Sequence, residues 1–302
     1  LPPSMPSGAQ TSGMFYDLLT AVSAQKAAGT ASGSASFDFD AAFTAFNYLA
    51  MGEVVTLTYT VGIKDQAGAM GTQTVTVTVT GTNDAPVVVT TAAAATASID
   101  EDTDAIGSAS LHEVGGTIGV NDADLSDTHQ VTQSQASFSW SGGSLSPLQT
   151  AALIAASTKT AVLHDSTGNG IGSVDWTYKI ADGALDFLAD GQTLTVTYVI
   201  TVADSHNGVA NGTSAIQTVT VTIHGTNDAP VVSGTVTDIN VVEDGSQSTL
   251  DALANASDVD DGANLSVVNG PGPLPAGVTY DAATHAFKLD PGHAAYQHLA
   301  AG

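Results

Sequence analysis

Between Gln73 and Thr80 apolar and hydroxylated residues alternate. Val75, Val77 and Val79 interleave with Thr74, Thr76, Thr78 and Thr80, so one face of an extended segment is apolar and the other polar. Val219, Val221 and Ile223 repeat the pattern, as do Leu194, Val196, Tyr198 and Ile200. Such Thr/Val-rich runs, punctuated by Gly, Asn and Asp, predict an all-β chain of sandwiches with one packed and one wet face per sheet. Helix is a minor component. Ser146-Pro147 opens LQTAALIAA with an N-cap followed by proline at the first helical position. The run from Asp17 to Ala28 is expected to be its helical counterpart. The pairs Phe46/Leu49, Leu185/Leu188 and Tyr296/Leu299, each three apart, predict single helical turns that plug a sandwich before the next strand.

The pattern repeats on a larger scale. TQTVTVTVTGTNDAPVV begins at Thr72, and IQTVTVTIHGTNDAPVV at Ile216. Upstream of each, LAMGEVVTLTYTV from Leu49 matches LADGQTLTVTYVI from Leu188, and the opening of that block returns at Leu299-Ala-Ala-Gly302. These marks divide the chain into the back part of one unit (1–86), a complete unit (87–230) and the front part of another (231–302). The chain is therefore expected to be a stretch of a longer array. In the GTNDAP link, glycine is expected to end a strand, while proline fixes φ and stops the ladder.

Charge adds a second layer. Thirty acidic residues face five lysines and no arginine, for a net charge of −25. That excludes a phosphate-backbone partner and disfavours an anionic membrane surface. Disorder does not fit a chain that is 43% hydrophobic and ordered in its alternation, so cationic counter-ions are the expected answer to the self-repulsion. There is no cysteine, hence no disulfide staple and no thiolate metal site. The first 25 residues lack Lys and Arg, and with them a secretory n-region, so an export signal is expected elsewhere. No apolar run approaches the roughly 20 residues of a membrane span.

The acids cluster at recurring places: Glu101-Asp102 and Glu243-Asp244 near unit starts; Asp122, Asp124 and Asp127 in one loop and Asp258, Asp260 and Asp261 in another; Asp65 and Asp204 at strand ends; and Asn83-Asp84 and Asn227-Asp228 in the links. Calcium takes six to eight oxygens at roughly 2.3–2.6 Å in flexible geometry, which suits carboxylates and amide carbonyls meeting at a junction. Magnesium keeps more water and is a weaker candidate. Zinc is disfavoured by the lack of cysteine and of paired histidines. Neither loop is an EF-hand, because the twelfth positions are Gln133 and Asn269 and no glycine stands at the sixth. Isolated acids such as Asp186 are expected to be solvated.

Gly-Thr-Asn-Asp-Ala-Pro after a Thr/Val strand, at 81–86 and 225–230, resembles the signature that ends VCBS repeats and related bacterial cadherin-like domains. GTIGVNDAD (116–124), Asp175-Trp-Thr-Tyr178 and Leu188-Ala-Asp-Gly191 are similar to further stretches of that pattern. The last unit, with Asp258-Val-Asp260-Asp261 and LPAGVTYD (274–281), is nearer the cadherin-like variety. The resemblance implies tandem Ig/cadherin-like β-sandwich modules with short helical insertions. It also implies a setting in large exported RTX-type adhesins that act in cell-surface or biofilm adhesion.

The functional expectation is a Ca²⁺-stabilised extracellular spacer or adhesive array, not an enzyme. Its partners are calcium, neighbouring repeats and a cell-surface glycan or protein, with no membrane insertion. Two other readings stay open: a carbohydrate- or receptor-binding module, and a non-catalytic stalk of an exported enzyme. Trp140 and Trp176 lie in strand-like stretches and are expected in the core rather than on a sugar platform. No G-x-S-x-G elbow is present. The acid pairs recur with the repeat, whereas a glycosidase pair would occur once.

Overall fold

A computed structural model describes residues 18–42, 44–89, 91–235, 241–268 and 271–298. The chain is mostly β, in several sheets. β1 (Leu19–Gln25) pairs with β2 (Ser34–Phe39), and β3 (Val54–Lys64) with β4 (Met70–Thr80), both antiparallel. Residues 87–230 carry β5 (Val87–Val88), β6 (Thr96–Asp100), β7 (Leu111–Asn121), β8 (Thr128–Gln133), β9 (Ser137–Trp140), α1 (Pro147–Ala156), β10 (Ser157–His164), β11 (Ile171–Ala181), β12 (Thr193–His206) and β13 (Val209–His224). The last stretch holds the short strands β14 (Val231–Val232), β15 (Ser248–Asp251), β16 (Ala256–Ser257), β17 (Val278–Asp281) and β18 (Ala286–Leu289).

The middle stretch forms two sheets over one core. One runs β10-β11-β7-β5; the other runs β6-β13-β12-β8, with β9 also on β12. Alternation dictates the packing. Val174, Trp176, Tyr178 and Ile180 from β11 meet Leu194, Val196, Tyr198 and Ile200 from β12, all at most 2% exposed, and Val219, Val221 and Ile223 of β13 complete the layer. Trp176 donates its indole N–H to the Ala94 carbonyl at 2.8 Å. The second strand of this stretch, β6, pairs in parallel with the last, β13, in register from Thr96↔Thr220 to Asp100↔His224.

The predicted helix forms as α1. Ser146 accepts from the Gln149 N–H, and the Gln149 side chain accepts from the Ser146 N–H, a reciprocal capping box. Its expected counterpart is not a helix: Leu19–Gln25 is strand β1, held by the Ser34–Phe39 ladder. A seven-residue run whose five inner residues are β-branched or small gains more from cross-strand pairing than from a short helix; Asp17 lies outside the described residues. Single turns do precede the long hairpins, with Leu49 N–H on the Phe46 carbonyl and Leu188 N–H on that of Leu185. Leu299 lies outside the described residues.

The glycine that opens each link does end its strand, β4 stopping at Thr80 and β13 at His224, and it has a second role. Its N–H still donates within the ladder, Gly81 to Glu53 and Gly225 to Gln192. A Cβ on Gly81 would lie 2.3 Å from the carbonyl oxygens of Leu49 and Ala50, and one on Gly225 would lie 2.3 Å from that of Leu188. Glycine is needed there because the link lies directly on the helical turn.

Candidate metal-binding junctions

The acids grow out of the core pattern. Along each strand the inward-facing series of alternate residues ends, just past the last apolar position, in a carboxylate: Ile99 then Glu101, Val120 then Asp122, Ile180 then Asp182, Val202 then Asp204. All four acids are buried, at 0–4% exposure. Asp122 and Asp204 lie at one end of the sandwich, beside the first link, and Glu101 and Asp182 lie at the other, beside the second.

The two links are built alike. The Asp84 N–H donates to Oδ2 of Asp124 at 2.7 Å, and the Asp228 N–H to Oδ2 of Asp260 at 3.0 Å. Each of those acceptors also closes its own loop, with the Asp124 N–H on Asp122 Oδ1 and the Asp260 N–H on Asp258 Oδ1. The Asn83 and Asn227 amides each donate to the carbonyl of the following aspartate. The next loop residue reaches back to the preceding helical turn, Leu125 N–H to Tyr48 O and Asp261 N–H to Phe187 O. Leu125 also packs against Tyr48, Leu49 and Val55.

At the first link, carboxylate oxygens of Asp122, Asp127 and Asp204, all buried, come within 4.8 Å of one another. Asn83 donates to Asp204 Oδ2 at 3.0 Å. Oδ1 of Asp124 is buried without a hydrogen-bond partner. Burial, aided by Asp127, Asp122 and Asp84, raises the Asp124 carboxyl to about 7. Burial also raises Asp127, against a 2.9 Å bond with His206. His129 is clamped between Asp122 at 2.9 Å and Asp165 at 2.6 Å. The bond to Asp122 outweighs burial and lifts the imidazole to about 9.

At the second link, Glu101, Asp186 and Asp228 form the corresponding group within 4.8 Å. Glu101 takes the Thr226 N–H on Oε2 and leaves Oε1 buried and unpartnered, as is Asp260 Oδ1. Asp228 Oδ1 accepts from the N–H of Asp104, which sits at φ +60°, and Asp104 Oδ1 accepts from Ala229 N–H. Burial carries Glu101 to about 8, with Asp228, Asp182 and Asp186 adding to the rise. Burial likewise raises Asp228 and Asp260. Buried carboxylate oxygens that lack partners and face like charges favour a bound cation. These acidic clusters could hold a metal ion.

Several sequence expectations need correction. Asp186 is not a solvated acid but part of the Glu101 group. Asp102 is drawn not to Glu101's partners but to His112 and Asp182. Asp65 caps its own hairpin turn, accepting from the Ala69 N–H at 2.8 Å, and among the described residues no acidic loop faces it. Glu243 lines a pocket with Val241, Leu289, Pro291 and Tyr296, and Asp244 accepts from Gln297. Neither belongs to an acidic group among the described residues. Asp258 is half-buried and Asp261 exposed beside the second link. Asp182, Asp186, His112, His129 and His206 were not foreseen. The inward-facing alternation, carried one step beyond Ile180, would have found Asp182.

Both tryptophans are packed. Trp176 is 1% exposed. Trp140 stands edge-on to Phe187, with centroids 5.3 Å apart, and donates to Gln192 Oε1. The large apolar side chains most exposed among the described residues are aliphatic or methionine. No helix among them is long and apolar enough to cross a membrane.

No protein-family model matches the chain, and no curated protein matches it. Among solved structures, a mutant of the CFA/I adhesin CfaE from enterotoxigenic E. coli is similar at 12% identity and a TM-score of 0.32. That likeness spans 64% of this chain and 64% of the adhesin chain.

Proposed function

We propose that this chain is a calcium-stabilised stretch of tandem β-sandwich modules of the VCBS/cadherin-like kind, working as a spacer or adhesive array of an exported bacterial surface protein. The observation that carries the reading is the repeated junction. At both links the linker aspartate N–H caps the second aspartate of a D-x-D loop, and the loop reaches back to the preceding helical turn. Each time, an orphaned buried carboxylate oxygen lies in the same place.

At the second link Glu101, Asp186, Asp228 and Asp260 would hold a cation; at the first, Asp122, Asp124, Asp127, Asp204 and Asn83 would do so. At the second link these ligands come from the middle unit, the link and the following loop, and at the first from the link and the middle unit, so an ion there ties the link to the unit it joins. Without it, carboxylates buried at close range repel, and the junction is free to bend. At extracellular-type affinities of about 10⁻⁴–10⁻³ M, millimolar calcium stabilises each site by about 0.4–1.4 kcal/mol. Several such sites in series make the response to calcium steep. The acids recur with the repeat and cap core strands instead of converging on one cleft, which favours a structural role over catalysis.

The test is small-angle scattering and thermal melting of the chain in millimolar Ca²⁺ and after chelation. The proposal expects a longer, stiffer particle and a higher Tm with calcium. Identical scattering and melting in the two conditions would overturn it.

A further inference from the structure

Asp102, His112 and Asp182 meet at the end of the middle sandwich, next to the Glu101 group but sharing no residue with it. Asp182 is the carboxylate that ends the inward-facing series of β11, His112 is the second residue of β7, and Asp102 follows β6. We propose that these three side chains form a separate site for a borderline divalent cation, zinc or its near neighbours, distinct in chemistry from calcium.

The geometry carries this. His112 Nε2 lies 2.8 Å from Asp182 Oδ1 and 3.9 Å from Asp102 Oδ2. Ligands about 2.0–2.2 Å from a tetrahedral zinc stand roughly 3.3–3.6 Å apart, so the two observed separations bracket the required one. One ligand atom from each residue already lies within 4.8 Å of the other two.

The second observation is an unpaired oxygen. The Asp182 side chain is fully buried, and its Oδ1 receives both the His112 ring and the Asp102 N–H, at 3.0 Å. Its Oδ2, on the same carboxylate, is buried with no partner. A carboxylate so placed has exchanged water for half of its bonds only, a cost that a cation removes.

An imidazole nitrogen separates this site from the junction groups. Calcium takes oxygen ligands, whereas imidazole suits Zn²⁺, Cu²⁺, Fe²⁺ and Ni²⁺. On binding, the metal takes the place of the proton between His112 Nε2 and Asp182, and the ring carries its hydrogen on Nδ1. The Asp102 side chain is 54% exposed. Ions can therefore enter from solvent, and the remaining coordination positions are open to water, as in zinc sites with three protein ligands.

Zinc titration of the metal-stripped chain, in the presence of saturating calcium, tests the proposal. Isothermal calorimetry is paired with imidazole ¹H–¹⁵N spectra. We expect one zinc equivalent that calcium does not displace, a shift confined to His112 Nε2, and at least a tenfold loss of affinity in His112→Ala. His164→Ala is the control, because His164 and Asp175 make an exposed pair at the same 2.8 Å without a third ligand. That variant should bind zinc as the parent does. Asp182→Asn keeps an acceptor for the Asp102 N–H but puts an amide N–H₂ into a fully buried contact and can unfold the loop, so His112→Ala, checked by circular dichroism, is the deciding variant. Zinc affinity unchanged in folded His112→Ala, displacement of zinc by calcium, or no zinc uptake would each overturn the site.

Discussion

The N–H of Asp228 donates to Oδ2 of Asp260, 3.0 Å away, so the 225–230 link is tied to the 258–261 loop by a backbone donor and a buried carboxylate. Asp260 carries an orphaned second oxygen at the same place. Asp260→Asn keeps an acceptor for the Asp228 N–H and removes a charge. Its effect should change sign with calcium: unchanged or higher Tm in chelator, where like charges repel, and a lower Tm than the parent in millimolar Ca²⁺. Melting curves in both conditions check this.

The Glu101 carboxyl titrates near 8 in the fold and near 4.5 when unfolded. Between those values the native state holds a proton that the unfolded chain has released. Cation-free stability therefore falls as pH rises from about 4.5 to about 8. The increment due to calcium should grow across the same window, because the ion binds the ionised form. Glu101→Gln should flatten both trends, as read from urea midpoints at a series of pH values.

His129 obeys the opposite chemistry with the same sign. Its folded value near 9 lies above the 6.5 of a free imidazole. The ion pairs with Asp122 and Asp165 contribute stability that is complete below about 6.5 and is lost as pH rises through about 9. In chelator, imidazole NMR should find His129 protonated at pH 7.5. His129→Ala, which strips the buried Asp122 of its partner, should cost about 3–5 kcal/mol in denaturant unfolding.

Gly225→Ala should destabilise by about 1–3 kcal/mol, since the added methyl meets the Leu188 carbonyl at 2.3 Å and the link cannot retreat without breaking the ladder. Gly71→Ala is the comparison: nothing lies within 4 Å of its Cβ position. That variant should be neutral or slightly stabilising in the same measurement.

The strands were legible because Val/Thr alternation has only one extended reading, and α1 was legible because Ser146, Pro147 and Gln149 occupy cap positions. The Leu19–Gln25 strand was not, since its few small residues suit either state until Ser34–Phe39 arrives to pair with them. The D-x-D loops and linker aspartates could be found from repetition. Asp186 could not, because Asn47 stands at the matching place in the first copy. The histidines escaped for a physical reason. His129 and His206 reach their aspartates only through strand pairing and loop closure, and residues as separated in sequence as Asp127 and His206 carry no local signal of their meeting.

The parallel union of Thr96–Asp100 with Thr220–His224 sets how the middle unit bears load. Tension applied through the two links draws β6 backward and β13 forward along their shared axis. All the bonds of that ladder are then strained together in shear instead of opening one by one. A unit held in this way resists pulling along that axis, because the whole ladder must give way at once.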